Sequence, residues 1–200
     1  MRTRFIGIAL ATLVLIAPAY ADAMFTLGDH PQPQEQNILF HADQTGTPID
    51  GFTNKSDTLV QFSSTTDRLI GTGGQSDVDA ADGLINSITM KVPGHTFLDA
   101  IFNAFKPVKA GDLIVTVVTN TGPFHFVYGA THGENFLTIT ATGGEVIDSV
   151  TINSVKGFQD LKQPRISGIS GVTIVPEPSS LMLLGGGVLG LVWVIRHKML

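Results

Sequence analysis

Apolar residues in the middle of the chain occur in short runs, and several of these runs alternate with polar residues. In residues 135–142, for example, Thr138 and Thr140 fall on one side of an extended chain, and Leu137 and Ile139 fall on the other. A period of two in segments rich in Val, Ile, Thr and Phe predicts β-strands rather than helices.

The same pattern predicts a series of strands along the chain, at residues 37–40, 58–62, 84–92, 112–119, 124–128, 135–142 and 145–154. Turn-forming combinations of Gly, Pro, Asn and Thr separate them, at 71–74, 93–94, 120–123 and 143–144. Short strands without long helical patterns predict an all-β fold. We expect an antiparallel β-sandwich with jelly-roll-like connections over residues 37–174.

Two further local structures follow from this pattern. Gly143 and Gly144 lie between two alternating runs, and glycine supplies the positive φ of tight turns, so strands 135–142 and 145–154 are predicted to pair as an antiparallel hairpin. Residues 96–105 place Phe97, Ile101 and Phe105 at helical spacing but also fit a strand face. We favour a strand, because the segment lies among strands.

The end of the domain is predicted to lie within residues 149–171, where a strand continues into a charged stretch that contains Phe158. Phe158 and Leu161 are expected to pack inward. Asp160 and Arg165 could form an ion pair across a corner of the domain, and a surface pair of this kind contributes under about 1 kcal/mol.

The first 21 residues have the three parts of a secretory signal: a basic start, an apolar core and small residues before a cleavage point. Ala19 and Ala21 occupy the positions that signal peptidase requires, which predicts cleavage after Ala21, with Ala23 as the second choice. An uncleaved N-terminal anchor is the alternative, but the apolar core is short for a membrane span. Residues 22–36, rich in Pro and Gln, are predicted to be an extended, mobile N-terminal segment.

The last 26 residues, 175–200, have a different three-part pattern. Pro176 and Pro178 keep the chain extended, and the nonpolar run 181–195 would rise about 22 Å as a helix, against a hydrocarbon core of about 30 Å. Arg196 and Lys198 then favour a cytoplasmic C-terminus. This predicts a short single transmembrane helix preceded by an exposed, stiff peptide.

The order Pro176-Glu177-Pro178, nonpolar run, basic end resembles the PEP-CTERM sorting signal of Gram-negative bacteria. The resemblance implies that an exosortase, an integral-membrane cysteine transpeptidase, recognises these three residues. It also implies export through the inner membrane, anchoring there before processing, and transfer to the cell surface or extracellular matrix. An ordinary single-pass anchor with a proline linker is the alternative.

Composition excludes several classes of function for the body, the part of the chain between the two end signals. The chain has no Cys, which excludes disulfides and thiolate chemistry. Between the two end signals there are 8 basic and 16 acidic residues, so nucleic acid is not an expected partner. The histidines show no metal-binding spacing and no nucleophile or phosphate-binding motif occurs, which indicates a protein that is not an enzyme.

Three candidate sites remain in the body. Asp77, Asp79 and Asp82 lie close together in a predicted loop that could bind Ca²⁺, although a solvated acidic turn gives the same pattern. A ladder of Thr residues on strand 135–142 is a candidate ligand surface, and Glu134 with Glu145 is a candidate acid pair for a glycosidase. No other cofactor is expected.

The sequence therefore supports an exported bacterial surface or matrix protein, processed by an exosortase, whose body is a non-catalytic structural or adhesive domain. Extracellular polysaccharide is a possible partner. A Ca²⁺-stabilised carbohydrate-binding module is the first alternative and a hydrolase the second.

Overall fold

The computed structural model describes residues 22–108 and 111–171, and within them the chain is all-β and its strands pair antiparallel. In this part of the chain there is no helix of the length and apolarity needed to cross a membrane. The predicted signal peptide, 1–21, and the tail, 175–200, lie outside the described residues. The strands are β1 (Asp22–Leu27), β2 (Gln36–Leu39), β3 (Gln44–Gly46), β4 (Ile49–Thr53), β5 (Leu59–Ser63), β6 (Leu69–Gly71), β7 (Asp77–Ala80), β8 (Ile85–Lys91), β9 (Asp99–Pro107), β10 (Gly111–Thr119), β11 (Gly122–Ala130), β12 (Phe136–Thr142) and β13 (Ile147–Ser167).

Most predicted strands are present with boundaries that differ by one to three residues, and the ambiguous segment 96–105 is the strand β9. The strand interpretation of that segment is therefore confirmed. Its residues Phe97, Ile101 and Phe102 are almost completely buried, and the strand ends at Pro107. Proline suits a strand end because it has no N–H to donate to a neighbouring strand.

The longest strand, β13, organises the whole sheet network. Its first part, 147–154, pairs with β10 on one edge and β8 on the other. Its second part, 158–167, pairs with β9 on one edge and with β7 and β2 on the other. Strands β2, β4, β5 and β8 are hydrogen-bonded in that order, and both β2 and β8 also pair with β13. Together with β13 they therefore form a closed hydrogen-bonded circuit.

The two parts of β13 meet at an irregularity around Gly157. Pairing with β8 shifts between Asn153 and Phe158, and Val155 is 83% exposed at this point. Gly157 has a φ of +78°, and a Cβ there would come within 3.0 Å of the Leu84 side chain. Glycine suits this position because other residues rarely adopt this φ and because a side chain here would crowd Leu84.

The predicted hairpin between 135–142 and 145–154 is wrong. Gly143 and Gly144 do form a positive-φ turn, but β12 pairs with β1 and β9, whereas the following strand pairs with β10 and β8. The backbone of Val146 instead bonds to Asn120, its N–H to the Asn120 Oδ1 and its carbonyl to the Asn120 N–H. Both edges of each strand are occupied by other strands, so the turn carries the chain from one part of the network to another.

The N-terminal segment 22–36 is not simply extended and mobile, as predicted. Its first six residues form β1, which pairs along its whole length with β12. Farther on, Arg165 of β13 holds the segment through Asp29 and Glu35, with both nitrogen–oxygen distances 2.7 Å. The segment is therefore part of the folded domain.

The interior is one contiguous apolar cluster drawn from nearly all strands. Five of its phenylalanines are almost completely buried: Phe40, Phe62, Phe97, Phe102 and Phe158. Burying a side chain of this size contributes about 1.5 to 3 kcal/mol, so these rings supply a large part of the stability. Phe158 and Leu161 both point inward, as predicted.

Candidate functional site

A row of hydroxyl side chains crosses the outer surface of four neighbouring strands. Thr116 of β10 lies opposite Thr151 of β13, Thr151 lies opposite Thr89 of β8, and Thr89 lies opposite Ser63 of β5. His125 of β11 extends the row beyond Thr116. Because neighbouring strands are about 4.8 Å apart, five strands give a row about 19 Å long.

A second, more mixed row runs beside the first. It contains Val118, Ser149, Lys91 and Gln61, which lie opposite one another on β10, β13, β8 and β5, and Asp50 of β4 continues it. We call the two rows together the outer polar face. It has only one cation and one anion, so its surface consists mainly of uncharged groups that form hydrogen bonds.

The hydroxyl groups lie on the outside because the residues that alternate with them in each strand form part of the core. Val115 and Val117 flank Thr116 in β10, Val150 and Ile152 flank Thr151 in β13, and all four are buried. Since successive side chains of a strand point to opposite sides, the hydroxyl groups must face outward.

Hydrogen bonds within the face orient its hydroxyl groups. The Oγ1 atoms of Thr89 and Thr151 are 2.8 Å apart, and the Oγ1 of Thr116 is 3.1 Å from Nδ1 of His125. A hydroxyl group has one hydrogen to donate and two lone pairs to accept with, so each retains hydrogen-bonding capacity toward a ligand. Such a surface fits a polymer rich in hydroxyl groups.

A groove of about 520 Å³ adjoins the face at Lys91. It is lined by Lys91, Val92, Pro93, Gly94, His95, Thr96, Asp148 and Ser170. The Nδ1 of His95 is 2.7 Å from the carbonyl oxygen of Ser170, and the Ser170 hydroxyl accepts the N–H of Thr96. The serine hydroxyl is therefore used to fix the backbone, and the histidine is oriented by a carbonyl group rather than by a carboxylate.

The three aspartates predicted as calcium ligands are not in one loop. Asp77 and Asp79 lie on strand β7, and Asp82 follows in the turn, where its Oδ1 accepts the N–H of Leu84 at 3.3 Å. Across residues 22–108 and 111–171, no three His, Asp or Glu side chains come together as a metal site. The acidic segment was assigned to a loop because alternating Asp residues obscure a strand whose inward residues are Val78 and Ala80.

Asp79 instead lies opposite Asp160 of β13. Burial raises the pKa of Asp79 to about 7, with further contributions from a hydrogen bond to Asp160 and from the charges of Asp160 and Asp77. Lys162 opposes this shift, and its Nζ is 3.5 Å from Asp160. The expected ion pair between Asp160 and Arg165 is therefore wrong, because each residue pairs with closer partners.

The Thr residues of β12 also do not form a continuous exposed surface for a ligand. Thr138 is 2% exposed, and its hydroxyl group donates to the Gly28 carbonyl at 2.9 Å and accepts the His30 N–H at 3.1 Å. The N-terminal segment covers this side of the strand. The two carboxylates of the candidate acid pair have different environments, because Glu134 is exposed and Glu145 is buried.

Sequence reasoning missed the outer polar face. Thr116 and Thr151 stand at polar positions of two correctly predicted strands, which was the available signal. That they lie side by side with Thr89 depends on strand order and register, which a single sequence does not reveal. The proposed processing residues Ala19, Ala21, Pro176, Glu177, Pro178, Arg196 and Lys198 all lie outside the described residues.

Comparison with known proteins adds one finding. Residues 175–196 match the family model of the PEP-CTERM protein-sorting motif. The motif implies an exported protein that is recognised by an exosortase and sorted at the membrane. No curated protein matches the chain, and no solved structure matches it either.

Proposed function

We propose that this protein is released from the membrane by an exosortase and is retained in the extracellular polysaccharide matrix as a non-catalytic adhesive component. The observation that carries the proposal is the PEP-CTERM motif at residues 175–196. In this scheme, signal peptidase cleaves after Ala21, and Pro176, Glu177 and Pro178 form the peptide that the exosortase reads. The biofilm or cell surface is the final location.

The outer polar face is the surface that we propose binds the polysaccharide. Polysaccharides present many hydroxyl groups along an extended chain, and the row from His125 to Ser63 presents matching donors and acceptors over about 19 Å. The acidic body also favours a neutral polymer over an anionic one, because repulsion would oppose binding of like charge.

For the architecture we propose a two-layer sandwich. The ring of Phe25 on β1 stacks on that of Phe126 on β11, with centroids 4.8 Å apart and planes inclined by 12°. These two strands are hydrogen-bonded to β12 and β10 respectively and not to each other. A side-chain contact of this kind between strands without shared hydrogen bonds supports two layers that face one another across the core.

The experiment is co-sedimentation of the exported protein with extracellular polysaccharide purified from the producing strain. We expect the double substitution Thr116→Ala and Thr151→Ala to weaken binding about tenfold, because each lost hydrogen bond contributes about 0.5 to 1.5 kcal/mol. Thr45→Ala with Thr65→Ala is the matched control, since both residues are exposed and lie off the face. Equal binding by both double variants would rule out the face as the binding surface.

A further inference from the structure

A buried carboxylate at the turn between β12 and β13 has an unusual environment. Glu145 is 1% exposed, and its Oε1 accepts hydrogen bonds from the hydroxyl groups of Thr119 and Thr121, at the β10–β11 turn. The Thr119 hydroxyl is also 2.9 Å from the carbonyl oxygen of Gly122. Side chains from two separate turns therefore converge on one carboxylate.

The carboxylate lacks a counter-charge. The hydroxyl groups of Thr119 and Thr121 donate to its Oε1 and leave the other oxygen, Oε2, without a donor. That oxygen is buried and has no hydrogen-bond partner. None of the ion pairs in the part of the chain that the structure describes includes Glu145. A buried carboxylate oxygen without a partner is unfavourable unless a hydrogen-bond donor or a cation compensates it.

The hydroxyl groups near Glu145 have too few hydrogens for the acceptor oxygens around them, which also points to a cation. The Thr119 hydroxyl has a single hydrogen and two acceptors within reach, Glu145 and Gly122. In addition it accepts the N–H of Thr121 at 3.3 Å. Acceptor oxygens therefore outnumber the hydroxyl hydrogens that serve them. A hard divalent cation satisfies such a cluster, because it binds carboxylate, hydroxyl and carbonyl oxygens together.

We propose that Glu145, with oxygen atoms from Thr119, Thr121 and Gly122, binds one Ca²⁺ ion. The ion would join the β10–β11 turn to the β12–β13 turn, which are already connected through Asn120 and Val146. This site is separate from the three aspartates of the acidic segment. It is also independent of the outer polar face, so either proposal can fail without the other.

The test is thermal unfolding of the full exported protein in a chelator and in 5 mM CaCl₂. Extracellular calcium modules bind with dissociation constants of about 10⁻⁴ to 10⁻³ M, so we expect Ca²⁺ to raise the melting temperature by about 4 °C. Glu145→Gln keeps the side-chain size and removes the charge, and we expect it to abolish this shift. Glu134→Gln makes the same change at an exposed glutamate and should keep the full shift.

Two further variants keep the proposal falsifiable. Thr121 is exposed, so Thr121→Val should fold, and we expect calorimetric titration with Ca²⁺ to show affinity about tenfold weaker. Asp82→Asn tests the acidic segment instead. The proposal is overturned if the unaltered protein shows no shift with Ca²⁺, if Thr121→Val binds as the unaltered protein does, or if Asp82→Asn rather than Glu145→Gln abolishes the shift.

Discussion

Single residues decide how this domain responds to pH. Asp79 has a pKa of about 7, raised chiefly by burial and then by its neighbour Asp160. An acid whose pKa is higher in the folded chain than in the unfolded chain binds protons preferentially when folded. The contribution of Asp79 to the free energy of unfolding is therefore fully present below the ordinary carboxyl pKa of 3.8 and is lost as the pH rises through about 7.

We expect Asp79→Asn to remove this pH dependence, because the amide is neutral at every pH and can still donate a hydrogen bond to Asp160. Relative to the unaltered protein, the melting temperature of the variant should rise by about 2 to 4 °C between pH 4 and pH 8. This corresponds to about 1 kcal/mol, because partial exposure of Asp79 screens its interactions. Thermal unfolding at several pH values is the measurement. Asp82→Asn makes the same change in the exposed turn and is the matched control. A difference in melting temperature between Asp79→Asn and the unaltered protein that stays constant with pH would contradict this prediction.

The residues of the outer polar face show what a sequence reveals at this scale. The alternation in β10 and β13 places Thr116 and Thr151 on the side away from the core, because their neighbours Val115 and Val150 are buried. The same reasoning fails for Thr138, which is buried under the N-terminal segment. Periodicity reports which residues share a side of a strand, and not whether another part of the chain covers that side.

At the scale of elements, the strands were predictable and their pairing was not. The segment 96–105 was assigned to a strand from its neighbours, as β9 confirms. The turn at Gly143 and Gly144 was also recognised, but the hairpin it indicated does not form. Turn chemistry is local, whereas the choice of partner depends on distant strands, here β9 and β10, that compete for the same edges.

The N-terminal segment depends on one side chain of β13. Arg165, with 12% of its side chain exposed, bridges Asp29 and Glu35. Arg165→Met should leave Glu35 without its counter-charge and cost about 2 kcal/mol of stability, less than a fully buried pair because Asp29 is partly exposed. We expect faster amide hydrogen exchange in residues 28–35.

Hydrogen exchange also supplies the control for this prediction. Arg68 is exposed, so Arg68→Met should change neither stability nor exchange in residues 28–35. Strand β10 lies away from the bridge and should keep its exchange rates in both variants. Unchanged exchange of residues 28–35 in Arg165→Met would show that the pairing of β1 with β12, and not the bridge, holds the segment.

At the scale of the whole molecule, the sorting motif and the proposed binding surface lie in different parts of the chain. The sorting motif occupies residues 175–196, while the hydroxyl row occupies strands in the middle of the domain. The motif is recognisable in the sequence because it is short and contiguous. The row was not, because its members come from strands that are up to 88 residues apart, from Ser63 to Thr151.

The most direct test of the central claim is mass spectrometry of the terminal peptides of the protein exported by cells with and without an exosortase. We predict a mature chain that begins near Asp22 or Met24 and that lacks residues 181–200 only when the enzyme is present. Retention of the intact tail in both strains would contradict the account. It would identify the protein as anchored at its C-terminus in the membrane, rather than as released to the matrix.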